Sequence, residues 1–117
     1  MPTDRGSLLK QSLIGNESPD DIMLKVMETF KKTELIPEPG NYYTFVYSPK
    51  TPNVQYDQYP LIACLEVKPW GFIGLNYHWG KVRHYTWEEV VGYLHVIGTE
   101  EIKSVRSLAY AQFNINN

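Results

Sequence analysis

Apolar residues follow a period of two along three runs in the middle of the chain, a spacing that is typical of β-strands. The first run, 41–47, alternates two tyrosines and a phenylalanine with other residues. The second, 61–67, is almost continuously apolar, as expected of a strand covered on both sides. The third, 72–79, alternates again. We predict three strands here, within a stretch (40–87) that holds twelve of the sixteen aromatic residues.

The connection between the second and third strands has the composition of a tight hairpin. Residues 68–71 read Lys-Pro-Trp-Gly, in which the proline presets φ and the glycine accepts a positive φ. The two strands should therefore be antiparallel neighbours. Gly74 stands in mid-strand, where glycine marks a bulge or a bend. The pattern predicts an α+β fold built on a small, bent antiparallel β-barrel of the SH3-like kind.

A helix is predicted ahead of the strands. Ser18 can cap it, Pro19 suits its first position, and two aspartates follow at the positive end of the helix dipole. Apolar residues then recur every three to four positions as far as Phe30, which predicts an N-terminal helix from Pro19 to about Lys32.

The C-terminal part is predicted to contain two short helices and a strand. Thr86 and Glu89 have the spacing of a capping box, which predicts a helix over 86–96. A glycine ends it, and a second short helix is expected over 99–108. Alternation over 109–115 predicts a terminal strand that pairs with an open sheet edge and closes the barrel.

Residues 1–17 are predicted to be an arm beside a single domain, 18–117. The arm carries an apolar cluster at helical spacing, and its members are Leu8, Leu9, Leu13 and Ile14. Two readings stay open: a terminus that lies over its own domain, or an arm that packs on a neighbouring subunit.

Four aromatic residues are candidates for an interface with another protein: Tyr42, Tyr56, Tyr59 and Trp70. Tyr56 and Tyr59 lie in the longest gap between predicted elements, 48–59, and loops often carry recognition on a rigid scaffold. Tyrosine, with an apolar body and a polar tip, is enriched at interfaces. The alternative is that both rings fold back over the mouth of the barrel.

The composition limits what the chain can be. Its 117 residues suffice for one domain that buries a core without disulfides or metal. A net charge of −2 gives no broad positive field, so non-specific nucleic-acid binding lacks its usual source. The single cysteine, Cys64, is centred in an apolar run and should be an unreactive thiol. No transmembrane segment and no signal peptide are predicted, so we expect no membrane partner.

No catalytic, cofactor or metal site is expected from the motifs. The three histidines, His78, His84 and His95, lack the spacing of a metal site, and the eight glycines do not cluster into a phosphate-binding loop. One basic group remains as an alternative function: Lys81, Arg83 and His84 stand near Trp79, and interleaved basic and aromatic residues can hold a single nucleic-acid strand. Two glutamates close behind favour a solvated turn.

Three blocks, 43–50, 56–62 and 71–79, together with Arg83, resemble a family of virion proteins of large contractile-tailed bacteriophages. These phages are related to the T-even group and include cyanophages and other marine phages. The family pattern is Tyr-x-Phe-x-Tyr, a Lys, Tyr-Asp-x-x-Pro-Leu, and Gly-Phe-x-Gly-x-Asn-x-His followed by an aromatic residue. This chain departs from it in a shortened 50s loop and in Trp79, where tyrosine is usual.

The resemblance implies a non-enzymatic structural part of the particle, in the tail, baseplate or neck, made in the host cytoplasm. Its partners would be other phage structural proteins or copies of itself. Some members are described as protecting DNA ends, which implies the alternative of a DNA-end or single-strand binder. A remoter resemblance, to toxin endoribonucleases with an SH3-like barrel, rests on the strand that opens at Pro60. Residues 51–59 lack the basic residue on which those enzymes rely.

Overall fold

The computed structural model describes residues 5–108, 110 and 113–116. In these residues the chain forms an α+β fold with one six-stranded antiparallel sheet, a separate two-stranded sheet and three helices. The helices are α1 (Arg5–Ser12), α2 (Pro19–Thr29) and α3 (Ile102–Arg106), and Thr99–Glu101 forms a 3₁₀ turn. The strands are β1 (Thr33–Glu34), β2 (Tyr42–Tyr47), β3 (Val54–Asp57), β4 (Leu61–Lys68), β5 (Gly71–Asn76), β6 (Lys81–Thr86), β7 (Val90–Ile97) and β8 (Phe113–Asn116).

The predicted N-terminal helix is confirmed as α2. The Ser18 side chain accepts a hydrogen bond from the Asp21 amide, and the apolar stripe is buried against the sheet. The helix ends at Thr29, three residues earlier than predicted. Phe30 leaves helical geometry to bury its ring, and the Lys32 carbonyl accepts a hydrogen bond from the Val96 amide at 2.9 Å. The helix therefore ends early because the residues that follow it pair with the sheet.

The three aromatic-rich strands are also confirmed, as β2, β4 and β5. β4 and β5 form the expected antiparallel hairpin, but only Pro69 and Trp70 lie between the strands, so the turn is shorter than predicted. The pairing register shifts between Cys64 and Glu66, opposite Gly74. The irregularity expected at Gly74 is thus a bulge in the partner strand.

The large sheet curls strongly. Its strand order is β1-β7-β2-β4-β5-β6, so β6 and β7 are four strand spacings apart, or about 19 Å in a flat sheet. The connection from Thr86 to Val90 spans at most about 14 Å. The sheet must therefore bend until the end of β6 approaches the start of β7.

The curled sheet is not a closed barrel, and that part of the prediction is wrong. Among the described strands, β6 pairs only with β5, and β7 pairs only with β1 and β2. The terminal strand is present as β8, but it pairs with β3, a strand inside the predicted loop 48–59. Residues 109, 111 and 112, which were predicted to belong to the terminal strand, lie outside the described residues.

The helix predicted over 86–96 is also wrong, because this segment contains β7. Glu89 Oε1 does accept hydrogen bonds from Thr86, at 2.7 Å from Oγ1 and 3.3 Å from the amide. These bonds close the turn between β6 and β7 instead of capping a helix. β-Branched residues make up half of β7, and Gly92 has a φ of +80°, which an α-helix does not accept. The second predicted helix is confirmed in α3.

Two cores form on the two faces of the sheet. The concave face is filled by aromatic and aliphatic side chains around Tyr43, Phe45, Phe72 and Tyr85. The other face packs against the helices through a cluster that includes Val26, Phe30, Leu61 and Ile97.

The helix α1 is fixed to the far end of the chain. The Arg5 guanidinium donates two hydrogen bonds of 2.8 Å to Glu101, and the Arg5 amide donates a third at 2.9 Å. Leu9 is buried in the helical core, and Ser7 and Ser104 share a hydrogen bond of 2.9 Å. Residues 5–12 of the predicted arm are therefore a helix on the domain itself.

Candidate functional site

A buried polar cluster lies where β5 turns towards β6. Asn76 is fully buried, and its amide oxygen accepts hydrogen bonds from the backbone amides of His78 (2.8 Å) and Trp79 (2.9 Å). Its Nδ2 donates to Asp57 Oδ2 at 2.6 Å and to the Tyr85 hydroxyl at 3.3 Å. Asn76 thus shapes the turn and connects it to β3.

Asp57 and His78 form an acid–base pair inside this cluster. Asp57 Oδ2 lies 3.9 Å from His78 Nδ1, and the two side chains are 1% and 10% exposed. Burial raises the pKa of Asp57 to about 6, against the opposing effects of the Asn76 hydrogen bond and Arg83. Burial, with the nearby Arg106, lowers the pKa of His78 to about 4. Asp57 Oδ1 and both His78 ring nitrogens have no hydrogen-bond partner within the described part of the chain.

The three histidines lie in separate surroundings. His95 Nδ1 is 2.9 Å from the carbonyl oxygen of Phe30, and the exposed His84 ring stacks against Trp70 at 5.2 Å. Within residues 5–108, 110 and 113–116, no three acidic, cysteine or histidine side chains group in a way that could hold a metal ion. Cys64 is buried, and burial raises the pKa of its thiol.

The nucleic-acid candidates are divided between two faces of β6. The Arg83 guanidinium lies over the Trp79 indole, 4.4 Å from the ring centroid. Lys81 alternates onto the same face as Arg83, whereas His84 lies on the opposite face with Trp70. Arg83 and Trp79 therefore stack on each other, and His84 is not beside them.

The apolar cluster of the arm is divided too. Leu9 is in the core and Leu13 packs against its margin, whereas Leu8 and Ile14 are exposed. Only these last two offer free apolar surface to a neighbour.

The three candidate tyrosines pack within the domain. Tyr59 is buried, and its hydroxyl donates to Asp20 Oδ1. Tyr56 packs edge-on against Tyr47 at 6.0 Å, and Tyr42 packs in the same way against Tyr77 at 5.8 Å. The 50s tyrosines thus lie against the curled sheet. An interface role for these residues stays a prediction.

Trp70, the last interface candidate, is 42% exposed and lines a groove of about 510 Å³ between three turns. The groove, here called the three-turn groove, lies between the β2–β3 loop, the β4–β5 turn and the β6–β7 turn. Trp87 lines it from the last of these, with its indole N–H donating to the Pro69 carbonyl at 2.9 Å. Lys50 and Glu88 form an ion pair of 2.7 Å at its rim.

Glu89 connects the elements that form the three-turn groove through hydrogen bonds. Besides its bonds to Thr86, its Oε2 accepts hydrogen bonds from the Tyr47 hydroxyl (3.1 Å) and the Lys50 amide (3.2 Å). Burial opposes ionisation of Glu89, but the bonds from Thr86, Lys50 and Tyr47 outweigh it and hold the pKa below its ordinary value. One buried carboxylate therefore joins β2, the β2–β3 loop and the β6–β7 turn.

A second exposed apolar surface lies at the β1–β7 edge, and the sequence reasoning missed it. Leu35 and Ile36 follow β1 and line a groove with Val90 and Gly92, while Val91 and Tyr93 are exposed on β7 itself. Leu35 is 72% exposed and Tyr93 is 56% exposed. We call Leu35, Ile36, Val91 and Tyr93 the β7 edge patch. The β-branched content of 90–97 and its internal glycine could have indicated a strand here, where a helix was predicted.

Comparison with protein-family models, with curated proteins and with solved structures finds no match to this chain. No helix in the described part of the chain has the length and apolar content needed to cross a membrane.

Proposed function

We propose that this protein is a structural component of a contractile-tailed phage particle and works by packing against other particle proteins or copies of itself. The observation that carries the proposal is the β7 edge patch. Four large apolar side chains near one edge of the sheet are exposed, and exposed apolar surface can mark a protein interface.

The edge itself adds to the argument. In the described residues, β1 pairs only with His95 and Leu94, so the rest of β7 from Val90 to Tyr93 has no neighbour on that side. An unpaired strand edge can accept a further strand. Apolar side chains beside free backbone groups suit an association surface. The resemblance of the blocks within 43–79 to phage virion proteins is the reason for proposing a role in the virion. We also propose that the curled sheet is related to SH3-like barrels.

The test compares two double variants by sedimentation velocity and thermal melting. Leu35→Ser with Tyr93→Ser should weaken association by about 2 kcal/mol or more, as loss of interface anchors does. Both side chains are exposed, so the melting temperature should change little. Leu24→Ser with Leu65→Ser removes two exposed leucines that are not interface candidates and serves as the matched control.

Mass spectrometry of purified phage particles tests separately whether the protein is part of the virion. Absence of the protein from the particle would remove the virion role. Equal association by the wild type and the Leu35/Tyr93 variant would remove the β7 edge patch as its basis.

A further inference from the structure

The three-turn groove combines two tryptophans with a carboxylate that is fixed by hydrogen bonds. Two tryptophans from different turns line it, and the buried Glu89 fixes the turns relative to one another. Its volume of about 510 Å³ is within the range of sites that hold small ligands or single side chains. The groove contains none of the four residues of the β7 edge patch that carries the proposed function, although Trp87 also lines the neighbouring groove beside Leu35 and Ile36.

The charges in the groove favour a cation. Glu88 and Glu89 bring two carboxylates, and Lys50 brings one ammonium group. The ion pair with Lys50 lowers the pKa of Glu88, and hydrogen bonds lower that of Glu89, so both are ionised at neutral pH. The groove then carries a net charge of −1 and is lined by two indole rings, which attract cations.

The two tryptophans are held in place for such a contact. The Trp70 ring stacks against His84 on one side, with ring centroids 5.2 Å apart and an interplanar angle of 30°. Trp87 is fixed by its hydrogen bond to Pro69 and by the Phe72 ring at 5.9 Å. Trp87 thus has no indole N–H left to donate, so it can offer a ligand only its ring.

We propose that the three-turn groove binds an arginine side chain of a partner protein, with the guanidinium over the tryptophans and against Glu88. A guanidinium is planar, stacks on indole faces and binds a carboxylate through two parallel hydrogen bonds. In the free protein the Lys50 ammonium group forms an ion pair with the Glu88 carboxylate. The arginine displaces Lys50 when it enters, so Lys50 competes with the ligand for Glu88.

The test uses two capped pentapeptides, Gly-Gly-Arg-Gly-Gly and the same peptide with citrulline, which has nearly the same shape without the charge. Binding is followed by the indole N–H signals of Trp70 and Trp87 in NMR titrations. The arginine peptide should bind and shift both signals, and the citrulline peptide should bind at least about fivefold more weakly. Binding of the arginine peptide should also weaken with added salt.

Three variants sharpen the result. Glu88→Gln and Trp70→Ala should each weaken binding by about fivefold, as the loss of an exposed ion pair or cation–π contact would. Lys50→Met should strengthen it, because the competitor is gone. Glu66→Gln breaks a similar exposed ion pair, Lys68–Glu66 at 2.6 Å, outside the groove. It should leave the affinity unchanged.

Each of three outcomes would overturn the inference. Equal binding of the citrulline peptide would show that the groove recognises backbone or apolar groups. Weaker binding by Lys50→Met would make Lys50 a ligand-binding residue. No shift of either tryptophan signal in the Lys50→Met variant, the form most open to a cation, would mean that no arginine enters.

Discussion

The stability of Asp57→Asn relative to wild type should rise with pH between pH 4 and pH 7, although the residue is buried and hydrogen-bonded. Asp57 accepts a hydrogen bond from Asn76 at 2.6 Å, and an asparagine oxygen can accept the same bond. The substitution therefore removes a charge and keeps the shape. Its effect on the free energy of unfolding should depend on pH, because burial raises the pKa of Asp57.

The sign and size follow from the pKa of Asp57, which burial raises from 3.8 to about 6. A raised pKa in the folded state means that the group stabilises the fold below pH 4 and that this contribution is lost as the pH rises through 6. The shift corresponds to about 3 kcal/mol. The free energy of unfolding of Asp57→Asn, relative to wild type, should rise by about that amount between pH 4 and pH 7.

Urea unfolding followed by tryptophan fluorescence at several pH values measures this difference. The value at pH 4 gives the constant packing cost of the substitution, so only the change with pH is used. Because His78 lies 3.9 Å away, the comparison is repeated in a His78→Gln background to separate its titration. Glu28→Gln, which removes an exposed carboxylate, is the charge control. A difference that is flat between pH 4 and pH 8 would refute the reasoning.

Two further substitutions test the packing. Leu9→Ala should lower the free energy of unfolding by about 2–5 kcal/mol because Leu9 is buried, whereas the exposed Leu8→Ala should change it by less than about 0.5 kcal/mol; equal effects in urea unfolding would mean that α1 does not pack as described. Gly71→Ala would place its Cβ 1.9 Å from the Tyr85 carbonyl oxygen and should cost about 3 kcal/mol or more. Gly74→Ala, with its nearest contact at 3.3 Å, should cost clearly less by the same measurement.

Local patterns predicted those elements whose signals lie within a few residues. The cap at Ser18 with the stripe that follows, and the alternation in β2, identified a helix and a strand correctly. Thr86 and Glu89 show the limit of such signals. The same pair of hydrogen bonds can cap a helix or close a turn, and the choice depends on whether residues 90–97 find a partner strand, which lies more than 40 residues away.

The candidate sites depend on still longer-range contacts. The role of Glu89 in the three-turn groove requires Tyr47 and Lys50, and no spacing rule connects residues so far apart. The Asp57–His78 pair likewise forms only when β3 meets the β5–β6 turn. Trp70 was identifiable in advance as an exposed aromatic residue because it lies within the predicted hairpin connection, 68–71.

The bonds between Arg5 and Glu101 join residues 96 positions apart. During synthesis, at about 5–20 residues per second, α1 is therefore made roughly 5–20 s before Glu101. Until then the contacts between α1 and α3 are missing, and the helical core cannot be completed. Strands β2, β4, β5 and β6 are neighbours in the curled sheet and all lie between residues 42 and 86, so they can begin to pair earlier. Assembly of the domain on the ribosome should thus proceed from the sheet outwards, with the first helix docking last.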